Sequence, residues 1–235
     1  PLMGKDVIIA LDFKDGAQTL SFLNGFGEER PYVKIGMELY YAEGPDMVRR
    51  IAERGHKVFL DLKVHDIPNT AAGAVRSIAR LGASMINLHA SGGLDMMRAA
   101  ADALDAIPGE KPLLIAVTVL TSLSQQALND QLRIPGRVED TVLAYASLAH
   151  QAGLQGVVCS PHEAGAVHGL LGQDFLTVTP GVRFADGAVG DQQRVTTPEK
   201  AAQLGADYIV VGRPITQSDN PLDAYRRCKH AFIGL

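Results

Sequence analysis

The chain has 235 residues, with 22 basic and 26 acidic side chains and a formal net charge of -4. That length supports a real hydrophobic core, and 46% hydrophobic against 20% charged residues excludes a disordered chain. Without a basic excess there is nothing to neutralise a run of phosphates, so nucleic acid is not an expected partner. Two cysteines, Cys159 and Cys228, exclude a disulfide framework and a four-thiolate zinc site and fit a reducing compartment. No apolar run reaches the roughly 18 residues of a membrane span. The opening PLMGKDVIIALDF lacks the basic, apolar and small-residue pattern of a signal peptide. The expectation is a soluble, cytoplasmic protein with no membrane partner.

In chain order, β-branched runs predict strands at 6–12 (DVIIALD), 32–37 (YVKIGM), 57–64 (KVFLDLKV) and 85–90 (MINLHA). Four more are predicted at 113–120 (LLIAVTVL), 156–160 (GVVCS), 176–180 (LTVTP) and 208–212 (YIVVG). Amphipathic stretches at 46–54, 70–81, 93–107, 137–152 and 198–204 predict helices between them. Gly55-His56, Gly82-Ala83 and Gly205-Ala206 stand where helices should end ahead of the next strand. Strand–helix alternation indicates βαβ units and a parallel sheet. Eight units leave about 29 residues each, which suits a (β/α)8 TIM barrel. A doubly wound sheet would carry a glycine fingerprint after the first strand, and Asp12-Phe13-Lys14-Asp15-Gly16 is not one. No linker or low-complexity tract divides the chain, so a single domain over 1–235 is expected.

Active sites of such barrels lie at the carboxyl ends of the strands. Alternation puts Ile8, Ala10 and Asp12 on one face of the first strand, and Lys34 with Gly36 on one face of the second. Phe59, Asp61 and Lys63 share a face of the third, and Asp66 follows in the loop. A lone charge there would be a structural ion pair or a solvated strand end. Several converging charges are costly to bury and seldom stabilise relative to apolar replacements, so function is the stronger reading.

The block Asp61-Leu62-Lys63-Val64-His65-Asp66-Ile67-Pro68-Asn69-Thr70 resembles the Asp-x-Lys-x-x-Asp signature of the orotidine 5′-phosphate decarboxylase family. The resemblance runs over nearly the whole chain. It takes in Ala10-Leu11-Asp12, Val33-Lys34-Ile35-Gly36, the segment from Val117 to Ser122, Thr179-Pro180-Gly181-Val182-Arg183 and Val211-Gly212-Arg213. It implies decarboxylation of orotidine 5′-phosphate to UMP without a cofactor. Lys63 would stabilise and protonate a C6 carbanion, and Asp61 would lie beside the departing carboxylate. Asp66 would reach across a homodimer interface into the partner's site. Lys34 and Asp12 would complete the charge array and contact the ribose, with Thr70 and Pro180 in the substrate-binding set.

A phosphate is expected near the loops after strands seven and eight. Gly212-Arg213 offers close backbone approach and a bidentate fork. The stretch 181–194, glycine-studded and polar, reads as a lid, although alone it would be an ordinary surface loop. The resemblance implies that Gln192 and Arg213 grip the phosphate, that Gly212 gives its amide, and that Arg183 belongs to the ligand set. Thr121 is expected to read the pyrimidine's amide edge from the end of strand five, and Ser122 is a candidate helix cap. The seven histidines show no metal-ligand spacing, so no metal is expected. His65 reads as structural and His89 as an interior supporting residue. Cys159, Met37, Met47, Met96 and Met97 read as packing.

Two rival functions remain. Metal-dependent relatives such as 3-keto-L-gulonate 6-phosphate decarboxylase share Asp-x-Lys-x-x-Asp but carry a magnesium-binding Glu at the end of strand two. Lys34 stands there in this chain and would repel the metal. The other rival is a catalytically dead barrel that senses a nucleotide. It has no need of a lysine among carboxylates.

Overall fold

The computed structural model describes residues 4–185 and 196–234. Eight parallel strands hydrogen-bond in sequence order and close on themselves. They are β1 (Asp6–Ala10), β2 (Tyr32–Gly36), β3 (Val58–Val64), β4 (Met85–His89), β5 (Leu113–Val117), β6 (Gly156–Val158), β7 (Leu176–Thr179) and β8 (Tyr208–Val211). Every strand begins within one residue of its expected start. Seven of them stop one to three residues early, because the chain turns away to build the mouth loops. The fold is the expected (β/α)8 barrel.

Helices α1 (Gly16–Asn24), α2 (Met37–Glu43), α3 (Pro45–Glu53), α4 (Pro68–Ala79) and α5 (Leu94–Asp105) cover the first half. The second half carries α6 (Val138–Gln151), α7 (Pro161–Leu171), α8 (Pro198–Gln203), α9 (Arg213–Thr216) and α10 (Pro221–Ile233). Gly55, Gly82 and Gly205 all take positive φ just past a helix, as expected. Ser160, expected to end a strand, instead caps α7. Its Oγ accepts from the His162 N–H at 3.3 Å, while Glu163 Oε2 accepts from the Ser160 N–H at 2.8 Å. The capping role considered for Ser122 falls to Ser124, whose Oγ accepts from the Ala127 N–H.

Period-two alternation divides the strand side chains between two cores. Ile8, Tyr32, Phe59, Met85, Ile115, Val178 and Tyr208 fill the barrel interior. Val7, Ile9, Val33, Ile35, Leu60, Ile86 and Val157 face the helices, where Val48, Val75, Met97 and Ala146 meet them. At Gly156 any side chain would collide with the Leu176 backbone, so glycine is what lets β6 and β7 approach. Met47, Met96, Met97 and Cys159 are buried as expected, but Met37, at the first turn of α2, is 41% exposed. Among the described residues, no helix is long and apolar enough to cross a membrane.

The interior register carries the site. One step beyond the apolar layer, Tyr32 is followed by Lys34, Phe59 by Asp61, and Met85 by Asn87. These polar side chains sit on an apolar floor at the carboxyl end of the barrel.

Candidate active site

A cavity of about 570 Å³ opens at this end. One wall is charged, formed by Asp12, Lys34, Asp61 and Lys63 with Asn87 among them. The opposite wall is apolar, built from Val117, Val119, Leu120 and Val158. Pro180, Gly181 and Arg183 after β7, with Gly212 and Arg213 after β8, form the third side.

Asp61 is the hub of the charged wall, with its side chain 10% exposed. Its Oδ1 accepts from Lys63 Nζ at 2.7 Å and its Oδ2 lies 3.2 Å from Lys34 Nζ. Lys34 also lies 3.6 Å from Asp12 Oδ1, so cations and anions alternate from the barrel interior to the rim. Burial works to raise the Asp61 pKa. Lys34 and Lys63, with hydrogen bonds from Lys63 and Asn87, outweigh it and hold the carboxyl below its usual range. Its charge, and the stability of its pairs, are therefore lost only as pH falls through that lowered value.

Asp61 and Lys63 do meet, but simple alternation is not the reason. Between β3 and β4 the pairing jumps from Leu60↔Ile86 to Val64↔Leu88, so β3 advances four residues while β4 advances two. Lys63 sits in this bulge with a φ of 51°. A left-handed lysine, not a flat strand, turns the ammonium onto Asp61.

Gly36 gives Lys34 its room. A Cβ there would lie 3.2 Å from Lys34 Nζ and 3.6 Å from Asp12 Oδ1, although the backbone (φ -92°) would accept alanine. We expect Gly36→Ala to lower kcat/KM about tenfold through displacement of Lys34, with stability changed by less than about 1 kcal/mol. Kinetics and thermal melts of the variant check this; unchanged kinetics would show that Lys34 has slack.

Of the sequence-predicted residues, the cavity brings together Asp12, Lys34, Asp61, Lys63, Thr121, Pro180, Arg183, Gly212 and Arg213. Thr121 is not at a strand end. It lies four residues beyond β5, in the loop that starts at Thr118. Asp66 and Thr70 are exposed and do not line the cavity of their own chain. Gln192, and most of the stretch read as a lid, lie outside the described residues. The base of that stretch is held by a parallel bridge between Val182 and Thr196, where the Arg183 N–H donates to the Thr196 carbonyl at 2.9 Å. Phe184 packs under the Arg227 guanidinium at 4.2 Å.

Three residues went unread in the sequence. Asn87, 1% exposed, binds both Asp61 and the Lys63 backbone. Thr216 and Gln217 line the cavity beyond Arg213. A polar residue at an inward position of MINLHA was a usable signal for Asn87. His89 is half-buried with its ring 5.4 Å from His65. Burial, then His65 and Lys63, hold it below the usual histidine value, which keeps it neutral at neutral pH.

A parallel eight-stranded barrel with alternating charges and a polar cavity at its carboxyl end has the build of an enzyme for an anionic small molecule. The chain belongs to the orotidine 5′-phosphate decarboxylase / HUMPS family, whose profile matches residues 5–228. It is 50% identical to an orotidine 5′-phosphate decarboxylase of Staphylococcus haemolyticus over 227 residues, 97% of this chain and 98% of that one. A Streptococcus thermophilus protein of the same name is 52% identical over 223 residues, 94% of this chain and 95% of its own. Among solved structures, orotidine 5′-phosphate decarboxylase from Lactobacillus acidophilus superposes with a TM-score of 0.88 at 39% identity. That match covers 97% of this chain and 99% of the other.

Proposed function

We propose that this chain decarboxylates orotidine 5′-phosphate to UMP, with Lys63 as the proton donor. The observation that carries the reading is the ammonium of Lys63 held at 2.7 Å on Asp61 inside a cavity whose other end presents Arg183 and Arg213. Cleavage of the C6–carboxylate bond leaves its electron pair in an sp² orbital that the pyrimidine π system cannot delocalise. CO₂ departs, and the pair takes a proton from Lys63 Nζ. The lysine is left neutral and regains its proton from solvent. The fixed charges need little reorganisation as negative charge moves onto C6, which is where preorganised electrostatics contribute most. Asp61 lies beside the carboxylate that leaves, and Asp12 and Lys34 hold the ribose. Thr121 reads the pyrimidine, with Thr70 and Pro180 in the binding set.

Arg213, Gly212, Arg183 and Gln192 take the phosphate. The molecule works as a homodimer in the cytoplasm, with Asp66 completing the partner's charge array. Exposed Ile67, at 67%, beside Asp66 supports a covered surface there. Lys34 speaks against the metal-dependent reading, since a divalent ion would have to displace an ammonium already paired with Asp61 and Asp12.

The test is the ultraviolet loss of orotidine 5′-phosphate with purified protein in excess chelator. Turnover is expected to be unaffected by the chelator. No turnover removes the reading, and turnover abolished by chelator favours the metal-dependent relatives. Orotidine without its phosphate should lose at least about 10²-fold in kcat as well as affinity, because remote binding energy drives assembly of the site. Equal turnover at saturation would refute the role given to the phosphate.

A further inference from the structure

We propose that Asn87 is a positioning residue that clamps the β3 bulge to the Asp61 carboxylate and so aims the Lys63 ammonium. The inference rests on the reading that Lys63 delivers the proton. Asn87 occupies the inward register of β4, two residues beyond Met85, and is 1% exposed. Its Nδ2 donates to Asp61 Oδ1 at 2.8 Å, and its Oδ1 accepts from the Lys63 backbone N–H at 2.9 Å. Lys63 Nζ donates to the same Asp61 oxygen at 2.7 Å. Amide, carboxylate and lysine thus close a ring of three hydrogen bonds that holds Lys63 at both its backbone and its side-chain end.

The bulge makes this clamp necessary. A residue inserted into a bulge falls out of the strand ladder, and its buried N–H still needs an acceptor. Lys63 carries a φ of 51°, a conformation with little intrinsic favour for a lysine. The Asn87 side chain supplies the acceptor that β4's main chain does not. The same group must also present a donor to Asp61, and a short primary amide offers both on one rigid plane. The amide orientation follows from chemistry, since its reverse would face N–H to N–H and oxygen to oxygen. Lys34 on β2, Asp12 beyond β1 and Lys63 on β3 are the other charged groups around Asp61, with His89 at the end of β4.

Steady-state kinetics of Asn87→Ala and Asn87→Asp across pH, with UMP affinity by calorimetry, test the clamp. For Asn87→Ala, kcat should fall about 30- to 300-fold with KM and UMP affinity within about threefold. Asp61 loses a donor to its ionised form, so the acid limb of the kcat profile should move to higher pH. Asn87→Asp keeps the shape and the acceptor but sets a second carboxylate against Asp61. Its kcat should therefore rise as pH falls and the introduced carboxyl gains a proton to donate, opposite to the parent enzyme. Activity within threefold of the parent at every pH would overturn the clamp. So would a flat profile for Asn87→Asp, loss of UMP binding in step with kcat, or failure of both variants to yield folded protein. An active Lys63→Ala enzyme would instead remove the reading beneath it, so the two failures are told apart.

Discussion

Lys63→Ala is expected to lower kcat at least about 10⁴-fold while leaving UMP affinity within about tenfold. Proton delivery by a placed acid contributes about 10² to 10⁴, and a fixed charge at the developing carbanion about 10² to 10³. Both act through the same Nζ, so one truncation removes both. Arg183, Gly212 and Arg213, the described residues proposed to hold the phosphate, stand on the loops after β7 and β8 and are untouched by the change. Asp61 keeps Lys34 and Asn87 as partners, which should preserve the fold with some loss of thermal stability. The decisive measurement pairs the ultraviolet assay with calorimetric titration of UMP. A variant within tenfold of the parent in kcat would show that another group supplies the proton.

The second large effect concerns the proposed subunit boundary. Asp66 is exposed, its Oδ1 accepting the neighbouring Ile67 N–H at 2.7 Å, and residues 65–70 form one exposed run. If Asp66 serves the partner's site, Lys63→Ala and Asp66→Asn proteins should each be nearly inactive alone. Mixed under subunit exchange, they should recover about a quarter of the parent activity. Random pairing makes half of the dimers mixed, and a two-fold interface gives each mixed dimer one intact site. No recovery in demonstrated heterodimers would assign Asp66 to its own chain.

Much of this was legible in sequence, and the physical reasons differ from element to element. Strand starts such as Asp6, Tyr32 and Tyr208 were marked by β-branched and aromatic runs, which the parallel barrel buries on both faces. Strand ends were not. Thr118, Val119 and Leu120 have β character, yet they leave the sheet, and Val119 and Leu120 wall the cavity. Helices α1, α2, α7, α9 and α10 escaped. Gly165 and Gly169 blur the periodicity of α7, and α10 sets Arg226, Arg227, Lys229 and His230 among its buried Tyr225, Cys228 and Phe232. The charged residues were readable because charge within an apolar run is costly, which singled out Lys34, Asp61 and Lys63. The bulge was invisible, since a two-residue spacing looks the same in a flat strand and in a kinked one. Asn87 was missed for a related reason. A neutral amide in an apolar strand draws less notice than a charge, and its importance depends on the kink opposite it.

The positive φ of Lys63 has a consequence for any attempt to harden this protein. A left-handed backbone costs a lysine about 1–2 kcal/mol that glycine would not lose. Local propensity therefore recommends replacing the very residue given the proton-transfer step. A stabilisation screen scored on melting temperature alone would be drawn toward position 63 and would select against catalysis. Gains in thermostability are better sought in the helical shell, for example on the exposed faces of α5 and α6, where heat resistance and turnover do not compete.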